Sequence, residues 1–323
     1  MIVITGTAGF IGSCLLAEMR HHYDGEIISV DDFKILGKKG NWEFATHQVT
    51  HIERIDFVEW FRTHSSQVEY VFHLGARTDT TCMDPQILGE LNLNYTRDLW
   101  RICSEEDIPF IYASSAATYG MGEFGFSDDH ETPFKVKPLN LYAKSKNDFD
   151  KWALKSSFNP PVWAGLKFFN VFGPNEYHKG RMASVIWHTV QQIKLSGYMK
   201  LFKSHRPDFF DGHQKRDFIY VQDVIDIILY LYKNDFKSGL YNVGSGKART
   251  FLDLTKATFK ALGKEEQIQF IDMPTDLQDK YQYFTEADMR KLKRAGYKTA
   301  IRPLEATVEE YVQDYLIPNK YKI

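Results

Sequence analysis

At roughly 150 residues per domain, a chain of 323 residues has room for about two units, and its 43% hydrophobic and 25% charged side chains exclude wholesale disorder. Forty basic against 42 acidic residues leave a net charge of −2, which offers no electrostatic case for binding nucleic acid or an anionic membrane. Three cysteines, Cys14, Cys82 and Cys103, make neither a disulfide framework nor a zinc spacing.

The opening residues Met1-Ile2-Val3-Ile4-Thr5 show no signal-peptide pattern. The longest greasy segment, Ile227 to Tyr232, falls far short of the ~18 residues a spanning helix needs. A cytoplasmic location is expected.

Ile2-Val3-Ile4 reads as a first strand, followed by a helix with Ile11, Leu15 and Met19 on one stripe. Further strands are expected at Ile27–Val30, Val68–Phe72, Ile108–Tyr112 and Val162–Phe169. A long helix carries Leu88, Leu91, Tyr95, Leu99 and Ile102 at 3-4-4-3 spacing. Apolar strands separated by helices imply an α/β fold of the Rossmann type, a doubly wound parallel sheet covered on both faces. After Phe169 the alternation fails, and Ser204 to Gln214 reads as a long surface loop. Asp217–Tyr220 and Leu240–Val243 then return to strand pattern, with a helix stripe at Val224, Ile227, Ile228 and Leu231 between them. The expected division is a dinucleotide-binding domain from residues 1–169 plus 215–245. A smaller, discontinuous α/β substrate domain takes 170–214 plus 246–323.

Gly6-Thr7-Ala8-Gly9-Phe10-Ile11-Gly12 lies directly after the first strand and opens the first helix. Glycines there allow a tight turn and close approach of backbone to a pyrophosphate, which the helix N-terminus attracts. Asp31 and Asp32 follow the second strand, about 20 residues on, where an acid binds the ribose hydroxyls of NAD. Lys34, Lys38 and Lys39 lie just beyond and suit a 2′-phosphate. The acids favour NAD and the lysines permit NADP; both cofactors stay open, with NADP preferred.

Tyr142 and Lys146 are four apart on a helical pattern, so they share a face. An unperturbed tyrosine titrates near ~10, and a neighbouring ammonium together with an oxidised nicotinamide is expected to bring it towards the working range. Ser114 and Ser115 end the fourth strand, at the sheet edge where ligands bind in such folds.

Several segments together resemble the extended short-chain dehydrogenase/reductase family, over nearly the whole length. They are Thr5-Gly6 to Gly12, Leu74-Gly75-Ala76, Asn92, Ser115, Tyr142-x-x-x-Lys146 and Asn170-Val171-Phe172-Gly173-Pro174. A narrower match involves Tyr112-Ala-Ser-Ser-Ala-Ala-Thr-Tyr-Gly120, His178-Lys179-Gly180-Arg181-Met182-Ala183-Ser184-Val185, Lys215-Arg216-Asp217-Phe218 and Tyr281-Gln282-x-Phe284-Thr285. These resemble the ADP-L-glycero-D-manno-heptose 6-epimerase family, which supplies heptose to the lipopolysaccharide core.

The resemblance implies a redox epimerisation at C6 of ADP-heptose by one bound NADP. In this scheme Tyr142 and Lys179 serve the two faces, Ser115 holds the oxygen and Lys146 supports the tyrosine. It implies cofactor contacts from Gly6, Gly9, Phe10, Ile11, Gly12, Asp31, Asp32, Lys38, Leu74, Gly75, Ala76, Asn92, Tyr142, Lys146, Val171 and Lys179. It implies substrate contacts from Ser115, Asn170, Arg181, His188, Phe202, Arg216 and Tyr281. Arg216 also makes independent sense, because a guanidinium binds a diphosphate bidentately. No metal site is implied, and a homo-oligomer, pentameric or larger, is expected by resemblance.

Arg181 stands where the family has a small hydroxyl residue, and the 203–214 loop is longer than usual. A UDP-hexose 4-epimerase shares the serine, tyrosine and lysine and is the alternative; a non-catalytic dinucleotide sensor is a more distant one. A 4,6-dehydratase would need an Asp-Glu pair after the serine, where this chain has Ala116 and Ala117.

Overall fold

The computed structural model describes residues 1–45, 47–278 and 281–323. Seven strands form one parallel sheet: β1 (Ile2–Thr5), β2 (Ile27–Asp31), β3 (Val49–Glu53), β4 (Tyr70–His73), β5 (Phe110–Ser115), β6 (Trp163–Phe168) and, later in the chain, Gly239–Val243. Their order places Gly239–Val243 at one edge, then β6, β5, β4, β1, β2 and β3. Direction reverses at β1, whose two neighbours β2 and β4 are both parallel to it. This is the doubly wound Rossmann-type order expected from the sequence, with its ligand crevice at the carboxyl ends of β1 and β4.

Alternate residues of each strand face opposite sides. Ile2, Ile4, Phe72, Ile111 and Leu166 belong to one apolar cluster, with α1 (Phe10–Met19) packed on that face. Val3, Ile28, Val71 and Phe110 face the other, against α2 (Arg54–His64), α3 (Tyr95–Glu105) and α4 (Leu141–Lys155). The long helix expected over Leu88–Ile102 is interrupted by a π-helical turn, Gly89–Asn94, before α3 begins.

The lower half adds two small sheets. β7 (Asn170–Phe172) pairs parallel with a strand at Lys215–Tyr220, which pairs antiparallel with Ala248–Thr250. Met199–Phe202 pairs parallel with Ile268–Ile271. A helix that the sequence reading missed, α5 (Val185–Ser196), is capped by the Ser184 hydroxyl accepting from Trp187 N–H at 3.2 Å. It ends at Gly197, where φ is +81°. Its buried stripe, Ile186, Val190 and Ile193, is short and interleaved with His188, Gln191 and Gln192, so apolar periodicity is weak there. β3 escaped for a similar reason: Val-Thr-His-Ile-Glu is a half-exposed edge strand with no apolar run. Residues 203–214 form the expected loop, with neither helix nor strand. Among the described residues no helix is long and apolar enough to cross a membrane.

Candidate active site

The β1–α1 turn is built around Gly6. Its φ is +81°, and an added Cβ would sit 2.6 Å from Gly75 N and 2.7 Å from Leu74 C, so any side chain there is excluded. Gly12 meets the same constraint from below: a Cβ would collide with the Gly6 carbonyl. Gly9 occupies the N-cap of α1 and no side chain caps that helix. Its first N–H groups therefore point into the cleft with the positive end of the helix dipole. Gly6, Gly9, Phe10, Ile11 and Gly12 line a cleft of about 530 Å³, together with Asp31, Asp32, Lys38, Leu74, Gly75, Ala76, Lys179 and Arg181. A narrow glycine cradle with free N–H donors and an acid at the next strand end fits a dinucleotide.

Asp31 is already engaged. Its Oδ2 accepts from Ala8 N–H at 3.0 Å, while Oδ1 accepts from Asp32 N–H at 2.7 Å and Lys38 Nζ at 2.9 Å. Of the three lysines considered for a 2′-phosphate, only Lys38 enters the cleft. Lys39 pairs with Glu43 on the surface at 2.8 Å, and Lys34 is exposed. Arg54, at the start of α2, also lines this end of the cleft and was not singled out in the sequence; nothing in the motif spacing marks it.

Asn92 is buried. Its Oδ1 accepts from Arg77 N–H at 2.8 Å, and its Nδ2 donates to the Arg77 carbonyl at 3.0 Å and to Ser145 Oγ at 3.1 Å. The amide brackets the loop after β4 against α4, and both its donors are used there. Val171 lies on β7, packed against the main apolar cluster. Asn170, also on β7, is exposed.

Ser115 ends β5 at the same sheet edge as the Leu74–Ala76 segment, since β4 and β5 run in register with His73 opposite Tyr112. Its hydroxyl oxygen accepts from Ala117 N–H at 3.2 Å and so caps the short turn Ala116–Tyr119. That bond occupies a lone pair and leaves the O–H free to donate. The Asn140 side chain caps α4 by accepting from Ala143 N–H at 2.8 Å, so the helix starts just before Tyr142. Tyr142 is partly exposed as a residue, yet its phenol lies deep beside Ser115. Burial raises its pKa above the ordinary 10, the Ser115 hydroxyl opposes that rise, and the charge of Asp150 adds to it.

Lys146 Nζ donates to the Ala113 carbonyl at 2.9 Å, and burial dominates at the phenol. Lys146 itself is buried and its pKa falls from 10.5 to about 8 through burial, with Asp150 opposing. Asp150 and its partner Lys167, neither foreseen as a site residue, form an ion pair of 2.7 Å with both side chains buried.

The segment after β7 brings Lys179 into the cleft of the glycine turn, whose lining does not include Ser115, Tyr142 or Lys146. Residues 177–182 form an irregular turn with no buried residue, passing through Gly180 at φ +53°. Lys179 Nζ lies 5.1 Å from the centre of the Phe10 ring at the mouth of the glycine turn. Its pKa lies below the ordinary lysine range because of burial, opposed by Glu176. Asn175 and Glu176 at the base of the turn are wholly buried. Asn175 Nδ2 donates to Ser13 Oγ and to the Lys322 carbonyl, each at 3.0 Å, and its Oδ1 accepts from Lys322 N–H at 2.8 Å. Tyr177 O–H donates to the Lys320 carbonyl at 2.7 Å. Arg181 sits on the rim of the same cleft, where it pairs with Asp79 at 3.4 Å and bonds Thr81.

A second cleft, of about 690 Å³, includes Phe202, Gln214, Phe251 and Tyr281 in its walls. Phe202 and Tyr281 meet edge to face at 6.3 Å. Buried Arg216 lies between the Tyr281 and Phe251 rings, 5.3 and 5.6 Å from their centres. Asp217, its neighbour in sequence, is not its partner. That carboxylate accepts from Ser245, Gly246 and Ala287 N–H at 2.6 to 2.9 Å. His188 on α5 stands edge to face with Trp187 at 5.0 Å and is half-buried.

A doubly wound sheet with this turn and a Ser–Tyr–Lys edge defines a nucleotide-dependent epimerase or dehydratase class. The chain belongs to the NAD dependent epimerase/dehydratase family, whose model matches residues 2–244. Within that class it is similar to an ADP-L-glycero-D-manno-heptose-6-epimerase of Fusobacterium nucleatum, 47% identical over 98% of each chain. The solved ADP-L-glycero-D-manno-heptose-6-epimerase of Helicobacter pylori superposes with a TM-score of 0.81 at 27% identity, covering 97% of this chain and 95% of that one. A UDP-N-acetylglucosamine 4-epimerase from Methanobrevibacter ruminantium M1 also gives 0.81, at 23% identity over 98% of each chain; at that distance the likeness is one of fold.

Proposed function

We propose that this protein inverts C6 of the heptose in ADP-D-glycero-β-D-manno-heptose, giving the L-glycero epimer, with a resident NADP. The observation that carries this reading is Lys179. The His-Lys-Gly segment delivers Lys179 into the cleft that holds the glycine turn, a candidate proton-transfer group additional to Ser115 at the end of β5 and Tyr142 at the start of α4. A one-faced dehydrogenase has no use for two such groups. An epimerase does, because its ketone is reduced on the face opposite the one oxidised. The full-length likeness to heptose epimerases supports the choice of sugar over a UDP-hexose.

The α1 N-terminus, Gly6, Gly75 and Asp31 would hold the dinucleotide, and Lys38 with Arg54 would favour a 2′-phosphate. The bound dinucleotide would supply reversible hydride transfer at the sugar carbon. Ser115 donates its free O–H to the sugar oxygen and fixes it beside Tyr142. Tyr142 removes the hydroxyl proton as a phenolate, a form that the positive charge of an oxidised nicotinamide and the Lys146 ammonium would together favour against burial. For the rotated ketone, Lys179 supplies the proton, a task that suits a lysine whose pKa burial has lowered. Phe202 and Tyr281 would contact the sugar nucleotide, with Arg216 on the diphosphate. Residues 170–214 plus 246–323 would then form the substrate half. The reading places the protein in the cytoplasm, as a homo-oligomer, in the supply of lipopolysaccharide core heptose.

Incubation with ADP-D-glycero-D-manno-heptose, followed by analysis of the C6 configuration, tests it. Inversion is expected with that sugar nucleotide and not with UDP-galactose. Inversion of UDP-galactose alone would replace this reading with the 4-epimerase one.

A further inference from the structure

Asp150 is wholly buried and has no part in the reaction described above. It lies one turn beyond Lys146 and two beyond Tyr142 on α4, so the three share one helix face. Its carboxylate accepts from Tyr112 O–H at 2.9 Å, from Ser114 O–H at 2.7 Å and from Lys167 Nζ at 2.7 Å. Lys167 comes from β6, a strand buried along its whole length, and is itself 1% exposed. It also donates to Thr118 Oγ1 at 2.8 Å and lies 5.0 Å from the centre of the Tyr119 ring. Thr118 O–H in turn donates to the Ser115 carbonyl at 2.7 Å. The bonds therefore close a ring, Ser114–Asp150–Lys167–Thr118–Ser115, around the residue that presents the reactive hydroxyl.

Stability alone is a poor reason for such a pair. Burying two charges costs several kcal/mol of hydration, and apolar replacements of similar volume are often neutral or better. What an ion pair supplies that a leucine cannot is a fixed orientation and a fixed field.

We propose that Asp150 and Lys167 are positioning residues: the pair locks the turn that aims the Ser115 hydroxyl and fixes the charge that Tyr142 and Lys146 face from beneath. This rests on the epimerase reading above, in which those groups exchange and hold protons.

The ionisable surroundings are few. Lys146 faces His73 from β4 and Asp150 from its own helix, and bonds the Ala113 carbonyl on β5. Tyr142 faces Ser115 on β5 and Asp150. Asp150 faces Tyr112 on β5, Lys167 on β6 and Tyr119 in the turn. At Lys146 the carboxylate favours the ammonium against burial, and at Tyr142 it disfavours the phenolate. Removing it lowers both pKa values. Both limbs of the rate profile, which these two groups set, therefore move to lower pH.

The test compares Asp150→Asn with Asp150→Glu, and adds the double variant D150N/K167M, which leaves no unpaired buried charge should D150N fold poorly. Turnover of ADP-D-glycero-D-manno-heptose is followed from acid to alkaline pH. Phenol ionisation is read independently, by ultraviolet difference titration of each protein against its Tyr142→Phe counterpart. Both limbs and the phenol titration are expected to fall by roughly 0.5 to 1 pH unit in D150N and less in the double variant. Asp150→Glu should retain the wild-type profile. A lower thermal midpoint with unmoved limbs and an unmoved phenol titration would reduce the pair to core packing and overturn the proposal. Absence of turnover in the wild-type protein would instead overturn the assigned reaction, while the phenol titration would still report on the pair.

Discussion

Glu176 and Ser184 close the base of the turn that carries Lys179. The Glu176 carboxylate accepts from Ser184 N–H and from Ser184 O–H, each at 2.5 Å, and from Tyr311 O–H at 2.9 Å. The largely half-buried stretch of residues 177–183 is thus stapled by one buried acid. Glu176→Ala leaves three donors without their acceptor, so a loss of roughly 2 kcal/mol in unfolding free energy is expected. Turnover should fall further than cofactor affinity, because Lys179 rather than the glycine turn loses its support. Denaturant unfolding, a turnover assay and cofactor titration on the same preparation check this; equal losses of turnover and of cofactor affinity would mean the turn is not the part affected.

Tyr142→Phe removes the phenol oxygen and little else. Turnover should drop by about 10²- to 10⁴-fold, with the thermal midpoint and coenzyme affinity close to wild type. A steady-state assay beside a binding titration decides it, and retained turnover would mean that some other group takes the proton.

Lys179→Met should separate the two halves of the reaction. Oxidation on the Tyr142 side persists, so reduced nicotinamide accumulates on mixing with one epimer, while net inversion falls by at least about 10²-fold. Stopped-flow absorbance shows the first and product analysis the second. If neither half changes, Lys179 is only a lysine over the Phe10 ring.

Lys38 neutralises Asp31 within the cleft and offers a charge to a 2′-phosphate. Lys38→Ala is expected to weaken NADP binding by about 10-fold and to leave NAD binding level or improved, since Asp31 is released to bind ribose hydroxyls. Competitive titration of the two coenzymes against wild type and variant measures the ratio. Tighter NAD than NADP binding in the wild-type protein would reverse the coenzyme assignment.

His73 sits wholly buried between Thr5 Oγ1 at 2.7 Å and Thr96 Oγ1 at 2.9 Å, and burial lowers its pKa to about 3. His178, bonded to Asn41, is lowered to about 4, also chiefly by burial. Both are neutral in the folded protein at pH 5 and protonated once unfolded, so the unfolded state binds more protons between 6.5 and about 4. Stability therefore falls as pH drops through that window. Denaturant midpoints measured from pH 7 to 4.5 should decline steadily. A flat profile would show that these imidazoles take up protons without unfolding.

Much of the site was legible because its chemistry is local in sequence. The glycine turn needs Gly6, Gly9 and Gly12 at fixed spacing after a strand, and Tyr142 and Lys146 need only one helical turn between them. The parallel sheet was legible because buried strands such as Ile2–Thr5 are continuous apolar runs. What sequence could not give was tertiary neighbourhood. Asn92 carries the right amide but turns it towards Arg77 and Ser145, and Arg54 reaches the cleft from a helix with no motif of its own. Asp150 and Lys167 left two readable traces that went unused. One is an acid at the next turn of the tyrosine–lysine face; the other is a lysine inside a strand otherwise too apolar to hold one unpaired.

The bonds from Asn175 to Lys322 and from Tyr177 to Lys320 give the last few residues a stake in events about which they carry no chemistry of their own. Trimming the chain before Lys320 would strip the outer brace from the turn beside Asn175, and the resulting enzyme would be slow while still folded. A truncation chosen for convenience in crystallisation would then be mistaken for an active-site lesion.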